Sequence, residues 1–435
     1  MKKSFLISFL MLLSAISFAQ FTISGELRTR AEYRDGYKTI PISSTKALTI
    51  VGQRTRLNFF YQKDKLTTYI SLQDARIWGE DKWKSDNNGL GLFEGWAEYR
   101  FNKNIALKIG RQPLIYDDQR LFCSGDWRTF AEAHDIARML FYSDDKTLHF
   151  HIGYAINNNG DSETDAFLSE YNLKSIQYKN MMYGHLHKTW QNGVSASIIG
   201  VRDGFQEELI EQVTPDPLKV NYRTTFGPYL EYSNNKLLFS GAFYLQRGTS
   251  QDNRNIKANF YSGRATYKLS TKNSLTLGYD HYSGTDFSST NTLTETRTFS
   301  TLYGPGHKYL GYMDYFGVPE NHGSGINDLL LTVNLGLGKN GSLEATIHQF
   351  NLPEGYLKNG IKVDKNLGQE LDIVYNQKLD NVISIKAGFS TFFYTQSMEQ
   401  LKGRIPNQGD HALFGWLMLV VKPSFFSTKE IHLTI

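Results

Sequence analysis

The feature that most limits the possible folds is a strict alternation of apolar and charged residues. In the segment FEGWAEYRF, one alternating set is apolar or small and the other is mostly charged: Phe93, Gly95, Ala97, Tyr99 and Phe101 against Glu94, Trp96, Glu98 and Arg100. A period of two indicates a β-strand with two chemically different faces. Because the charged face is too dense for a soluble core, this strand fits a wall between lipid and a wet, charged lumen.

The same alternation recurs along the chain. After residue 20, Leu27 and Tyr33 lie on one face, and the other face is charged: Glu26, Arg28, Arg30, Glu32 and Arg34. Hydrophobic residues make up 40% of the chain and aromatic residues 14%, but the longest late apolar run, 413–421, is too short to cross a bilayer as a helix. These features favour a barrel that crosses the membrane with strands.

The spacing of turn residues predicts how the strands are connected. Eight short polar segments are predicted as tight hairpin turns: 62–65, 102–104, 143–146, 191–193, 233–236, 271–273, 339–341 and 379–381. Longer connections lie between them, for example 79–90, 157–174, 203–219 and 284–325. Alternating short and long connections are typical of outer-membrane barrels, whose short turns are periplasmic and whose long loops are extracellular.

Counting these connections gives the predicted fold class. The chain is predicted to be all-β, as a single transmembrane antiparallel β-barrel of about 18 strands, which is wide enough for an aqueous channel. The alternative is a secreted β-solenoid or a pair of β-sandwiches. A sandwich would not supply so many charged inward faces, and no repeat of fixed period is visible.

The N-terminus predicts export. Lys2 and Lys3 precede an apolar run, and small residues at Ser17 and Ala19 end it, so we interpret residues 1–19 as a signal peptide and 20–435 as the barrel. The apolar run is shorter than the roughly 20 residues of a membrane anchor. We therefore expect the outer membrane of a Gram-negative cell, with its lipid bilayer as a partner. A net charge of +4 gives no reason to expect nucleic acid.

Arginine is concentrated early in the chain, with eleven in residues 1–140 and seven in the remainder. An Arg on the lipid face would cost about 2–4 kcal/mol at the bilayer midplane, so we place the early arginines in the lumen. The residues expected to line a pore and bind anions are Arg28, Arg30, Arg54, Arg56, Arg76, Arg100, Arg111, Arg120 and Arg138. Lumen or loop-positioning acids are expected at Glu26, Glu94, Glu98, Asp118, Asp126 and Asp135.

Two roles remain open for these arginines. In one, Arg–carboxylate pairs form a ladder that stiffens the wall. In the other, part of the set stays unpaired and attracts anions, because guanidinium binds carboxylates with two hydrogen bonds and rings of Arg select anions in pores. Both can hold at once.

Two histidine pairs could indicate a metal site. His149 and His151 share one strand face, as do His185 and His187. No clear carboxylate or cysteine accompanies them, so we interpret them as wet or interfacial histidines and predict no metal and no cofactor.

A longer motif carries a family resemblance. At GWAEYRF, KIGRQPLIYDDQRLFCSGDW and HDIAR the chain resembles the alginate-export family of outer-membrane barrels, and a second, similar patch is HKYLGYMDYF at 307–316. The motif falls on Gly110, Arg111, Gln112, Tyr116, Asp118, Gln119, Arg120, Leu121, Asp126 and Trp127. The likeness extends from about residue 21 to residue 426.

The resemblance implies an eighteen-stranded barrel with an electropositive lumen. Such a barrel would pass an anionic, alginate-like polysaccharide or smaller anionic solutes by passive diffusion. A periplasmic export partner is an open alternative to a channel that acts alone. Alternatives are a porin for other saccharides or organic acids, and a barrel plugged by its own loops. A barrel enzyme is less favoured because no nucleophile-elbow motif occurs.

We also hypothesise a constriction. Arg111 and Arg120 flank a loop that contains Pro113, and the acids Asp118 and Asp126 are expected to orient it by accepting hydrogen bonds from backbone and arginine. The loop could then fold into the lumen. Near the C-terminus, Phe425 and Phe426 are expected to end the last strand, although residues 427–435 follow.

Overall fold

The computed structural model describes residues 19–80, 89–157, 178–206, 219–287, 294–316, 323–358 and 360–428. The predicted signal peptide lies outside the described residues except for Ala19. Parts of the predicted loops 79–90, 157–174, 203–219 and 284–325 also lie outside them, as does the tail beyond Thr428.

Eighteen strands of the described residues form the wall. They are β1 (Gln20–Asp35), β2 (Leu48–Lys63), β3 (Leu66–Ile77), β4 (Leu90–Arg100), β5 (Ile105–Gln112), β6 (His134–Tyr142), β7 (Leu148–Ile156), β8 (Asn180–Thr189), β9 (Val194–Gln206), β10 (Val220–Ser233), β11 (Leu237–Thr249), β12 (Asn255–Lys268), β13 (Ser274–Tyr282), β14 (Ile326–Leu337), β15 (Gly341–Asn351), β16 (Asn366–Lys378), β17 (Ile383–Tyr394) and β18 (Ala412–Val421).

The wall closes on itself. Each strand pairs antiparallel with the next along the chain, and β18 returns to β1, with Val421 opposite Leu27 and Leu413 opposite Asp35. The predicted all-β, eighteen-stranded transmembrane barrel is therefore confirmed. Closure pairs both edges of each of these eighteen strands, as the hydrocarbon region of a membrane requires.

Short elements complete the described chain. Glu295–Thr296 pairs in parallel with the start of β12, Leu357–Lys358 pairs with Ile361–Lys362, and Ser424–Ser427 pairs with the start of β1. One helix, α1 (Gln396–Leu401), is capped by the Thr395 hydroxyl. Within the ranges given above, no helix is both long and apolar enough to cross a membrane.

All eight predicted short turns lie between strands at one end of the barrel, from the β2–β3 turn to the β16–β17 turn. The longer connections lie at the other end, where one of them, 250–254 between β11 and β12, is itself a tight turn. Short turns face the periplasm in barrels of this class. The long loops then face outward from the cell.

The two faces of the wall differ as the alternation predicts. On β1, Leu27 and Tyr33 are 38% and 46% exposed on the outside, whereas Arg28 and Glu32 are 5% and 4% exposed on the inside. Large apolar side chains facing outward cover a surface that lipid would bury. The charged set faces inward and is buried because loops fill much of the lumen.

Phe93 breaks the alternation in β4. Ser71 of β3 lies opposite Glu94, but its neighbour Leu72 lies opposite Leu92, so Phe93 is an extra residue in a β-bulge. Its ring turns inward, 3.9 Å from the Arg56 guanidinium carbon. The prediction that Phe93 shares the outer apolar face is therefore wrong.

Candidate pore and its loops

Two loops enter the barrel and bind one another. We call residues 113–133, between β5 and β6, the inner loop, and residues 294–316, before β14, the cross loop. Phe122 and Tyr303 form a bridge between them, with Cys123 N donating to Tyr303 O at 3.1 Å and Tyr303 N donating to Leu121 O at 3.0 Å. Together they supply much of a buried apolar cluster inside the wall.

An aromatic stack also joins the loops. Trp127 of the inner loop lies face to face with His307 of the cross loop, with ring centroids 3.9 Å apart and planes 8° apart. Tyr312 stacks on the other side of His307 at 4.7 Å. The Arg30 guanidinium covers Trp127 at 3.8 Å, so the stack also reaches the wall.

Arginines of β1 hold the inner loop by its backbone. Arg28 donates to the carbonyl oxygens of Asp126, Trp127 and Arg128, the last at 2.7 Å. Arg30 donates to Trp127 O and pairs with Glu32 at 2.5 Å. These guanidinium groups are therefore engaged, although both residues border the cavity described below.

Arg54 of β2 binds a wall acid and a loop acid. Its guanidinium lies 2.5 Å from Glu26 and 2.8 Å from Asp126. Partial burial raises the pKa of Asp126, but the charges of Arg54 and Arg28 outweigh it, and the pKa stays below its usual range. Asp126 is consequently an anion at neutral pH.

Arg120 fastens the inner loop to β13. Its side chain is 1% exposed and donates to Asp280 at 2.9 and 3.2 Å, while Asp118 lies 3.4 Å away and Tyr309 covers the guanidinium face at 3.4 Å. Asp118 also accepts the backbone N–H of Arg120 at 3.0 Å. Arg120 is a buried structural ion, so the prediction that it lines a pore is wrong.

Three further predicted arginines face inward. Arg56 donates to Gln73 at 2.8 Å, Arg138 donates to Tyr116 of the inner loop at 3.3 Å, and Arg100 pairs with Glu98 at 2.7 Å near the short turns. The remaining inward acid, Glu94, accepts from the Trp96 indole at 2.9 Å.

Three other predicted residues lie on the outside of the wall. Arg111 has the same facing as Ile109 and pairs at 3.0 Å with Asp135, whose side chain is 61% exposed. Arg76 lies opposite the outward Gln53 and pairs with Asp74 at 2.6 Å. The lumen assignments of Arg76, Arg111 and Asp135 are therefore corrected.

Gly110 explains part of the long motif. Its φ is +122°, and a Cβ there would lie 2.2 Å from the carbonyl oxygen of Gly95 on β4. Only glycine allows this close approach of the two strands.

A cavity of about 1650 Å³ remains beside the loops. Its lining reaches from Lys46 and Leu48 at the long-loop end to Asp380 and Asn381 at the short-turn end, along β1 and β16–β18. Twelve Lys or Arg side chains line it against six Asp or Glu side chains, so its charge is positive.

The lysines of this cavity were not among the predicted pore cations, which were all arginines. Lys378 and Lys386 face the cavity from β16 and β17 and are exposed to it. In the described part of the chain, neither ammonium has a carboxylate or hydrogen-bond partner. The alternation along β16 and β17 places Lys378 and Lys386 at inward positions, so this pattern could have identified both lysines.

A group of histidines lies on the opposite wall. His149 and His151 of β7 face His187 and His185 of β8 across the strand pair, all inward. Asp117 of the inner loop reaches His185 Nε2 at 3.0 Å. The expectation that no carboxylate accompanies these histidines is therefore wrong.

Comparison with known proteins agrees with this architecture. A family model described as alginate export matches residues 19–405. No curated protein matches. Among solved structures, OccK11 (OpdR) of Pseudomonas aeruginosa is 14% identical with a TM-score of 0.58, covering 93% of this chain and 96% of that one. OccAB4 of Acinetobacter baumannii is 11% identical with a TM-score of 0.60, covering 94% and 98%. The outer membrane protein OpdK of P. aeruginosa is 9% identical with a TM-score of 0.60, covering 94% and 99%.

Proposed function

Because the chain belongs to the alginate export family of outer-membrane β-barrels, we propose that it is a channel for anionic solutes. The observation that carries this proposal is the positive lining of the cavity, which extends from the long loops to the short turns. A wall of one charge concentrates ions of the opposite sign in a narrow aqueous space.

The proposal assigns different roles to arginine and lysine. Arg28, Arg54 and Arg120 hold the inner loop and are largely neutralised by carbonyl oxygens or carboxylates. Lys378 and Lys386 are left to attract the solute. This combines the two roles that the sequence left open, because paired arginines shape the pore while other cations supply its field.

The inner loop and the cross loop set the width of the route. They contact the wall at β8 and β13 and also at β1 and β16–β18. The solute would therefore pass through the cavity that remains beside these loops, which β1 and β16–β18 line. An extended, single anionic polysaccharide chain or a small organic acid fits such an off-centre route better than a folded polymer. We therefore propose passive passage of an alginate-like chain or of smaller anions.

A plugged barrel is the second candidate. It is favoured by the fully buried contacts of the two loops, such as Arg120 with Asp280 and the bridge at Phe122. In that case the loops would stay in place, and the barrel would bind a ligand without conducting.

One experiment separates these functions. The purified barrel is inserted into a planar bilayer, and its reversal potential is measured under a KCl gradient. We expect conductance with a preference for chloride over potassium, and block by oligomers of an anionic saccharide that exceeds block by neutral oligomers of equal length. A preference for potassium would refute the anion channel, and the absence of conductance would favour the plugged barrel.

A further inference from the structure

The inward face of β7 and β8 carries an unusual density of imidazole. His149 lies opposite His187, with ring centroids 5.1 Å apart, and His151 lies opposite His185 at 6.5 Å. The four rings form a two-by-two group on the lumen side. Such a group is not needed for strand pairing, because the neighbouring strands of the wall pair without it.

The inner loop adds a carboxylate to this group. Asp117 has a φ of +49°, a left-handed conformation that Asp tolerates better than most residues. Its Oδ1 lies 3.0 Å from His185 Nε2 and accepts from Ser197 Oγ at 2.6 Å. The ring of Tyr116, the preceding residue, packs at a tilt against His185 with centroids 4.3 Å apart and helps to fix the approach of the loop.

We propose that Asp117, His185 and His187 bind a divalent transition-metal ion of the Zn²⁺ class. Each offers one ligand atom, and these atoms all lie within 4.8 Å of one another. In a tetrahedral zinc site with bonds of about 2.0–2.1 Å, ligand atoms are roughly 3.4 Å apart. Rotation of His187, which is only half-buried, can supply this contraction.

The chemistry of the ligands selects the ion. Two imidazoles and one carboxylate suit Zn²⁺, Cu²⁺ or Ni²⁺, whereas Ca²⁺ and Mg²⁺ require mainly oxygen ligands. Within the ranges that the structure describes, the buried Nε2 of His151 has no hydrogen-bond partner. This group of histidines therefore has at least one ring nitrogen more than the surrounding protein groups can bind. The Arg138 guanidinium is separated from the site by Tyr116, to whose hydroxyl it donates at 3.3 Å.

Binding here would tie the inner loop to the wall. Arg28 and Arg54 hold one part of this loop against β1 and β2, and the metal would hold its beginning against β8. The ion would replace the hydrogen bond between Asp117 and His185, so the Nε2 proton of His185 would have to move to Nδ1. This site is independent of the anion that the channel passes.

The test measures zinc binding to the intact, folded barrel in detergent after treatment with EDTA. Isothermal titration with Zn²⁺ should give one site in the wild type and in the control His281→Ala, which removes an imidazole from the outer face. Asp117→Asn, which can keep the hydrogen bonds, and His187→Ala should each weaken binding by at least about tenfold. Equal binding by the wild type and both variants would overturn the proposal.

A second measurement does not depend on how the variants fold. Co²⁺ added to the EDTA-treated wild-type barrel should give the intense visible absorption of a four-coordinate site with nitrogen and oxygen ligands, and Zn²⁺ should displace it. A spectrum identical to that of Co²⁺ in buffer would overturn the proposal.

Discussion

Arg54 of strand β2 and Asp126 of the inner loop form an ion pair at 2.8 Å. The arginine is 1% exposed and is also bound by Glu26, so it cannot turn away from the loop without losing two partners. The carboxylate of Asp126 is 61% exposed, and it lies on the cavity. This pair therefore connects the fixed wall to the inner loop, which would limit the width of the proposed route.

Replacing Asp126 with asparagine should loosen the inner loop. The substitution removes the charge that Arg54 binds, and we expect larger or more frequent openings in single-channel recordings. The matched control is Asp135→Asn, because its carboxylate is also 61% exposed and paired with an arginine, but on the outer side of the wall. Openings altered equally in both variants would contradict the role of the Arg54–Asp126 pair.

The same carboxylate should give the channel an acid response. The pKa of Asp126 lies below the usual value of an aspartate, so the pair contributes stability above that usual value and loses it as the pH falls through the lower pKa of the folded protein. Conductance should be constant from neutral pH to about pH 4 and rise at lower pH. Asp126→Asn should lack this rise, and a rise of the same size in that variant would exclude Asp126 as its source.

Asp280→Asn should destabilise the barrel strongly. The substitution removes the carboxylate charge that the buried Arg120 binds. It also weakens the hydrogen bond that the neighbouring Arg264 donates to residue 280, which is 2.6 Å long in the wild type. Removal of one partner from a buried ion pair costs about 3–5 kcal/mol. Asp135→Asn breaks a pair in which both side chains are well exposed and should cost at most about 1 kcal/mol. The midpoint of unfolding in denaturant, measured in detergent or lipid, would decide; similar midpoints for the two variants would argue against a buried anchor.

Lys386→Ala should reduce the preference for anions. In water, a unit charge about 8 Å from a monovalent ion contributes about 0.5 kcal/mol, with opposite signs for chloride and potassium. Salt at about 0.1 M reduces each contribution by roughly half, so we expect roughly a twofold fall in the ratio of chloride to potassium permeability. Arg111→Ala removes the same charge from the outer face and should leave the ratio unchanged. Reversal potentials under a salt gradient measure both, and an effect of Arg111 as large as that of Lys386 would undermine the assigned route.

A charge on the outer face should be costly only at bilayer depth. Leu331, in the middle of β14, is 40% exposed toward lipid, whereas the adjacent Thr332 faces inward and bonds Thr346 at 2.9 Å. Leu331→Arg should cost about 2–4 kcal/mol of unfolding free energy and Thr332→Arg clearly less. The comparison uses folding into lipid vesicles; equal costs would indicate that the outward face of β14 does not contact lipid.

The wall could be predicted from the sequence because each of its elements is local. Alternation set the facing of Leu27 and Arg28, and polar residues marked every short turn. The alternation puts Arg76 and Arg111 on the outer face, but the energetic argument moved them to the lumen, because it assumed that every outward position lies in lipid. Both residues lie near the long-loop ends of β3 and β5. There each arginine pairs with an aspartate on the outer face, and the cost of placing a charge in lipid no longer applies.

The contents of the lumen could not be predicted in the same way. Arg120 binds Asp280, which is 160 residues away in the chain, and Asp117 meets His185 only after the inner loop has crossed the barrel. No periodicity encodes such contacts. The bulge at Phe93 was missed because one extra residue shifts the phase of the alternation, so that Leu92 before it and Ala97 after it both face outward.

The stack of Arg30, Trp127, His307 and Tyr312 makes the two loops mechanically inseparable. Trp127 cannot withdraw without exposing His307, and His307 cannot withdraw without uncovering Trp127. Any widening of the proposed route would accordingly require the inner loop and the cross loop to move together, and we expect the current to switch between two levels.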